Sequence, residues 1–169
     1  MATLYWIEKL EQHLRGSNQV AMRAEREARE AARTLATESE QRDDSRAALE
    51  FSALSSGQSV RACAAQEDLR TLIRFRSAGL PTFGARTPIA MGAIVDVASE
   101  SDAGSEERTF IVLPVGAGTE LTGPGGDGFL TVITPNSPVG KALLGRTVGE
   151  VVDVVLRGEP QEWAVVDVC

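Results

Sequence analysis

Residues 134–152 read TPNSPVGKALLGRTVGEVV, and this stretch joins the signals of a short helix to those of a following strand. Ser137 is a residue type that favours the N-cap position of a helix, and Pro138 fits the first turn because that position needs no backbone N–H. Gly145 favours helix termination, since glycine adopts the left-handed conformation without strain. Val151 begins a valine-rich run that is typical of a strand. We therefore predict one short helix followed by one strand.

Four further segments around this stretch have the composition of strands and are bounded by glycine, proline or acidic turn residues. The five predicted strands cover residues 90–98, 108–115, 129–133, 151–156 and 163–168. Together they predict a small antiparallel β-sheet with one helix packed on it. The glycine-rich segment at residues 123–128 predicts a hairpin loop before the third strand.

The composition of the chain changes sharply near residue 80. Residues 3–77 contain no proline and two glycines, whereas 14 of the 16 glycines and all seven prolines follow residue 78. Apolar residues recur at three- and four-residue steps in the first part, which indicates helices. Residues 37–46 contain no large apolar side chain and predict the turn of an antiparallel hairpin. We therefore predict an α+β chain with an antiparallel coiled-coil hairpin at 1–78, a linker at 79–87 and a sheet domain at 88–169.

Charge and cysteine content narrow the possible functions. The net charge of −7 argues against a general nucleic-acid binder and suits a partner with a basic surface, although such acidity also serves solubility alone. Cys63 and Cys169 are too few for a disulfide framework, so we expect reduced thiols. No run approaches the roughly 20 apolar residues of a membrane span, and the first residues lack the pattern of a signal peptide. We expect a cytoplasmic protein.

Residues 134–152 closely resemble the C-terminal signature of the Gre (GreA/GreB) transcription elongation factors, in which a Ser-Pro-hydrophobic-Gly-Lys-Ala-Leu-Leu-Gly segment precedes a valine-rich strand. Residues 88–97 and 162–168 resemble the family's first and last strands, and residues 6–14 resemble its helical opening. The resemblance implies an FKBP-like domain that docks on bacterial RNA polymerase while the hairpin enters the secondary channel. The implied docking residues are Ser137, Pro138, Gly140, Lys141, Leu144 and Gly145.

The resemblance also implies an acidic tip on the hairpin. In cleavage-competent members the tip reads Asp-x-x-Glu-Asn-Ala-Glu-Tyr, and its first two carboxylates help to hold an Mg²⁺ ion in the polymerase site, where the polymerase cuts its own RNA. In the ungapped alignment Asp44 matches the Asp, Ala47 stands at the Glu position, and Glu50 matches the later Glu. A shifted register instead offers Glu40 and Asp43 with acid-x-x-acid spacing. Asp43 and Asp44 are the candidate ligands for the shared Mg²⁺.

Three interpretations of these acids stay open. They form a solvated turn, or they hold Mg²⁺ and stimulate cleavage, or they enter the channel and modulate or inhibit transcription without efficient cleavage. Because Ala47 replaces one of the two metal-holding carboxylates, we favour the third interpretation over the second. In none of them is the chain an enzyme by itself. We expect a monomer that binds no cofactor alone and meets RNA only through the polymerase.

Two functions of other classes compete with this interpretation. A peptidyl-prolyl isomerase built on an FKBP-like domain needs an aromatic-lined pocket, and Phe83, Phe110, Phe129 and Trp163 are scattered along the sequence. Likeness of fold is by itself a weak argument for such an activity. A structural coiled coil that only dimerises is the other alternative.

Overall fold

A computed structural model describes residues 2–39, 45–84, 86–101, 104–156 and 158–169. The chain forms two compact units. One unit comprises Glu11–Arg70, and the other combines Met1–Leu10 with Thr71–Cys169. The predicted boundary at residue 78 lies at the end of the second predicted helix. The boundaries of the compact units instead fall inside the two helical segments, after Leu10 and after Arg70.

Two long helices make up most of the N-terminal half. Helix α1 covers Ala2–Ser39 and helix α2 covers Ser45–Ser77, and both consist largely of strong helix formers. In the unit Glu11–Arg70 the small side chains of Ala28 and Ala62 are buried, which lets the two backbones approach closely. The hydroxyl of Ser59 donates a hydrogen bond of 2.8 Å to the carboxylate of Glu25 on the other arm. The predicted helical hairpin is confirmed.

The C-terminal half forms one six-stranded sheet. Its strands are β1 Ile94–Ser101, β2 Gly104–Val112, β3 Glu120–Thr122, β4 Phe129–Ile133, β5 Val151–Leu156 and β6 Glu159–Val168, in the order β3-β4-β2-β1-β6-β5. Helix α3, Pro138–Leu143, lies between β4 and β5 as predicted. The glycine-rich segment joins β3 to β4 and contains a 3-10 turn at Pro124–Gly126, so it is the predicted hairpin loop.

The sheet is mixed rather than purely antiparallel, which corrects the prediction. Strands β2 and β4 pair in parallel, with Phe110 opposite Thr131 and Val112 opposite Ile133. The chain leaves β2, forms the short strand β3 and turns back, so that β4 runs in the same direction as β2. The period of a sequence indicates which face of a sheet a residue occupies but not the direction of its strand. The strand that reverses the chain here, β3, is only three residues long and was not predicted.

One face of the sheet carries the main core, and the other face is also buried around β2 and β4. Val95, Phe110 and Trp163 belong to the main core cluster, to which Val139 and Leu143 of α3 also belong. Residues that alternate with these, including Ile111, Leu130 and Val132, are buried too. Ile7, Leu10 and Leu72 of the same compact unit are fully buried, and the methyl groups of Leu10 lie against Gly116, where a Cβ atom would come within 2.9 Å. The ends of both long helices therefore contribute to the core of the sheet unit.

The bond between Ser59 and Glu25 provides a test of the hairpin register. Glu25 is 19% exposed and also accepts a bond of 2.6 Å from Arg29. Because Ser59→Ala removes a donor from a half-buried carboxylate, we expect the free energy of unfolding in urea to fall by about 1 kcal/mol.

The matched control is Glu27→Gln, which breaks the exposed pair between Glu27 and Arg23 on α1. Exposed pairs of this kind contribute little, so this variant should unfold like the parent chain. Equal losses in both variants would contradict the arrangement of the two arms.

Candidate functional site

Ser137 links the end of β4 to the start of α3. Its hydroxyl donates a hydrogen bond of 2.7 Å to the carbonyl oxygen of Thr134 and accepts one of 3.0 Å from the backbone N–H of Gly140. The backbone of Ser137 is extended, with φ −69° and ψ 152°, and Pro138 occupies the first turn. These features are those of an N-cap, which satisfies a helix N–H that has no partner within the helix.

Gly140 allows α3 to approach the preceding turn closely. A Cβ atom at this position would lie 2.0 Å from the carbonyl oxygen of Thr134 and 2.9 Å from the hydroxyl oxygen of Ser137. No side chain larger than hydrogen fits without moving the backbone. Gly140 is therefore required by the fold, which gives the glycine a structural explanation independent of any partner.

Gly145 ends the helical segment and ties it to an earlier part of the chain. Its φ is +80°, a conformation that glycine adopts without strain. Its N–H donates to the carbonyl oxygen of Ile89 at 2.8 Å, and the N–H of Ile89 donates to the carbonyl oxygen of Arg146 at 2.8 Å. This two-bond bridge fixes the C-terminal end of α3 against the segment that precedes β1.

The six predicted docking residues lie in one continuous segment but differ in accessibility. Pro138, Lys141 and Gly145 are exposed, Ser137 and Leu144 are half-buried, and Gly140 is buried. Leu144 packs against the core cluster. Only the exposed residues can offer much surface to a partner. Pro138 and Lys141 therefore form the outer face of the segment, and its more buried residues maintain its shape.

Of the four predicted tip acids, the structure describes the backbone of one, Glu50. Glu40, Asp43 and Asp44 lie outside the described residues, and Glu50 lies within α2. Within the described ranges, histidine, cysteine and carboxylate side chains do not gather in groups of three or more that could hold a metal ion. In the same part of the chain, none of the helices reaches the length and hydropathy needed to cross a bilayer.

Both cysteines are free thiols, as predicted. Burial raises the pKa of the Cys169 thiol, and the neighbouring carboxylates of Asp167 and Asp96 raise it further. Fewer thiolates are therefore present at neutral pH than for an ordinary cysteine, and the thiolate is the reactive form. The environment of Cys169 does not activate it as a nucleophile.

An open groove of about 1040 Å³ lies on the sheet unit, and the sequence did not reveal it. Phe110, Phe129 and Trp163 line this groove together, although they come from three different strands. The rings of Phe110 and Trp163 are stacked with their centroids 5.4 Å apart. The fourth aromatic residue, Phe83, packs against the core cluster instead. Alternation of side chains along β2, β4 and β6 predicts which face of the sheet each ring occupies. Only the order of the strands in the sheet shows that the three rings lie beside the same groove.

Comparison with known proteins identifies the family. A model of the C-terminal domain of the transcription elongation factors GreA and GreB matches residues 85–169, half of the chain. The chain belongs to the GreA/GreB family. The match contains the whole segment Ser137–Gly145 and all six strands, so the resemblance in residues 134–152 is confirmed.

Several solved structures are similar to this Gre-family chain. The GreA factor homolog Gfh1 of Thermus thermophilus is 20% identical, with 94% of each chain covered and a TM-score of 0.38. Gfh1 of Thermus aquaticus is 19% identical, covering 91% of this chain and 94% of that chain, with a TM-score of 0.37. A GreA/GreB factor from Nitrosomonas europaea is 21% identical over 62% of this chain and 78% of that chain, with a TM-score of 0.32. No curated protein sequence matches significantly.

The close contact at Gly140 predicts that a single methyl group is harmful there. We expect Gly140→Ala to lower the free energy of unfolding by about 1–3 kcal/mol, because the backbone must shift to relieve overpacking. Thermal and urea denaturation would measure the loss.

Gly57→Ala is the matched control, since a Cβ atom at Gly57 in α2 would have nothing within 4 Å. Alanine within a helix should raise stability by about 0.5–1 kcal/mol. A Gly140→Ala variant as stable as the parent would contradict the described packing of α3.

Proposed function

We propose that this chain is a transcription factor that binds bacterial RNA polymerase at its secondary channel. The observation that carries the proposal is the match of residues 85–169 to a family of transcription elongation factors. The sheet unit is the anchor in this proposal, and the helical hairpin is the part that enters the channel. The chain acts in the cytoplasm, as a monomer, and meets RNA only through the polymerase.

The shape of each part suits its proposed task. Helix α1 has 38 residues, which corresponds to a length of about 57 Å at 1.5 Å per residue. The hairpin buries small alanines between its arms, so its cross-section stays narrow. The net charge of −7 favours approach to a basic entry channel and would speed the encounter with the polymerase. Charge of this sign also disfavours independent binding to nucleic acid.

The segment Ser137–Gly145 supplies the proposed contact with the rim of the channel. Pro138 and Lys141 are exposed on a helix that is capped at one end and bridged to Ile89 at the other. A rigid, exposed surface loses little conformational entropy on binding, which favours affinity. The residues that hold this surface in place are the same ones that carry the sequence resemblance.

The tip is proposed to modulate or inhibit transcription without efficient cleavage. A second Mg²⁺ ion in the polymerase site would need oxygen ligands from the factor, and two carboxylates at fixed spacing provide them. Here Ala47 stands where cleavage-competent members have the second carboxylate, which leaves Asp44 alone in that register. One carboxylate holds the ion less well, and the factor has no chemistry of its own to replace it. The bound Mg²⁺ would belong to the polymerase.

A prolyl isomerase remains the second candidate because three aromatic side chains line one groove. Trp163 is however only 1% exposed, with Phe110 stacked on its ring and the guanidinium of Arg108 5.5 Å from its centroid. The indole ring is covered by these neighbours and offers little open face to a proline. This contact pattern ranks isomerase activity below polymerase binding.

Binding to the polymerase is the first test. The chain should co-elute with core RNA polymerase at micromolar concentration, and Lys141→Glu should weaken the complex by about tenfold because it reverses an exposed charge at the proposed contact.

The control for this test is Asp153→Lys, an exposed change on β5. Its neighbours Val152 and Val154 lie in the core cluster with α3, so the side chain of Asp153 points to the opposite face of the sheet, and the affinity should stay within about threefold of the parent value. If the parent chain fails to bind at micromolar concentration, the proposal is wrong.

Transcript cleavage separates the two interpretations of the tip. Added to a stalled, backtracked complex, the chain should release little short RNA, and Ala47→Glu should raise the cleavage rate at least about tenfold by restoring the second carboxylate.

The same substitution combined with Asp44→Ala should lose the gain, since one ligand is again missing. Robust Mg²⁺-dependent cleavage by the parent chain that disappears in Asp44→Ala would overturn the non-cleaving interpretation while leaving polymerase binding intact.

A further inference from the structure

The groove on the sheet unit has one exposed aromatic side chain. Phe129, the first residue of β4, is 68% exposed, a large exposed fraction for an apolar side chain. Behind it the stacked pair of Phe110 and Trp163 forms part of the lining. Exposed aromatic side chains next to a concave surface are typical of binding sites, because they contribute large apolar area with few rotatable bonds.

The rim of the groove is strongly acidic. Its described lining includes the five acids Asp96, Glu106, Glu107, Glu120 and Glu159 and one base, Arg108, which leaves a net charge of −4. Arg108, the one basic residue in this described lining, already has a partner. Its guanidinium donates two hydrogen bonds of 3.0 Å to the carboxylate of Glu106.

Two of the acids on the same face of the sheet as Phe129 are not paired with a base. Glu120 and Glu159 are exposed, and within the described part of the chain no ion pair joins them to a basic side chain. Asp96 differs from them because it accepts a hydrogen bond of 2.6 Å from the hydroxyl of Thr109. These two acids lie on β3 and β6, so they line the groove from two different strands.

We propose that this groove binds a short, extended, basic segment of a partner protein in which lysines or arginines alternate with proline or another apolar residue. The apolar residues pack against Phe129, and the cationic side chains pair with Glu120 and Glu159. Aromatic-lined grooves select proline-rich segments because these are already extended and lose little entropy on binding. A volume of about 1040 Å³ suits a few residues of such a segment.

The charge of the lining decides between possible occupants. A nucleic acid or an acidic peptide would be repelled by a net charge of −4. A purely apolar ligand would leave the carboxylates facing it without partners. The proposal goes beyond polymerase binding and does not depend on it, since the ligand is defined by its chemistry alone.

A peptide titration tests the proposal on the full chain. The probe is a fluorescent peptide in which lysine, proline and leucine alternate, and the comparison peptide carries glutamate in place of every lysine. Fluorescence anisotropy should show micromolar binding of the basic peptide only. Raising the salt concentration from about 0.05 M to about 0.5 M should weaken binding at least about fivefold, because the ion pairs lie at an exposed rim.

Two variants locate the binding site. Glu120→Lys combined with Glu159→Lys should weaken binding at least about tenfold, because it removes two attractive charges and adds two repulsive ones. Phe129→Ala should weaken it about fivefold through the loss of apolar contact, and the exposure of Phe129 makes a folding defect unexpected.

The control is Asp153→Lys combined with Glu162→Lys, an exposed cross-strand pair outside the groove that changes the net charge by the same amount. This variant should retain binding within about twofold of the parent chain. Equal binding of the two peptides, absence of binding, or equal losses in the groove and control variants would each overturn the proposal. All of these results are obtained without polymerase, so failure here leaves the proposed function untouched.

Discussion

The hydroxyl group of Ser137 makes two hydrogen bonds on which the shape of the sheet unit depends. One fixes the turn at Thr134, and the other caps α3 through the N–H of Gly140. Because Gly140 has no side chain, the helix can sit directly on that turn, and Val139 and Leu143 reach the core. The same arrangement turns Pro138 and Lys141 outward. A small set of local bonds therefore decides both which residues fill the core and which are exposed.

The ends of the long helices have a comparable double role. Ile7, Leu10 and Leu72 are fully buried in the compact unit that contains the sheet. In the unit Glu11–Arg70 the buried apolar residues are Leu14 and the small Ala28 and Ala62, and a polar bond joins Ser59 to Glu25. Large apolar side chains give a core its stability, while small ones allow a narrow helix pair. The sequence of each helix changes along its length in accordance with this division.

The polymerase-binding proposal and the peptide-binding proposal use neighbouring surfaces with different chemistry. The segment Ser137–Gly145 offers an exposed proline and lysine on a rigid helix. The groove offers an exposed aromatic ring among carboxylates, and Ser137 and Val139 also belong to its lining. If both proposals hold, a surface of mixed character around one helix would let a single domain distinguish partners by charge as well as by shape.

The sequence by itself determined the elements and their faces. Ser137, Pro138 and Gly145 mark the limits of α3, and the absence of proline before residue 80 marks the helices, because these signals act through local backbone conformation. Strand direction and strand order were decided only by the tertiary structure. The parallel pairing of β2 with β4 depends on the three-residue strand β3, which has no periodicity to recognise.

One candidate site was predicted from the sequence, and the other was seen only in the tertiary structure. The candidate docking segment was predicted from sequence because its residues are adjacent in the chain. The groove was missed because Phe110, Phe129 and Trp163 lie far apart in sequence and meet only when β2, β4 and β6 take their places in the sheet. Residues that are distant in sequence are brought together by packing and hydrogen bonding between strands, and no local pattern of amino acids records that outcome.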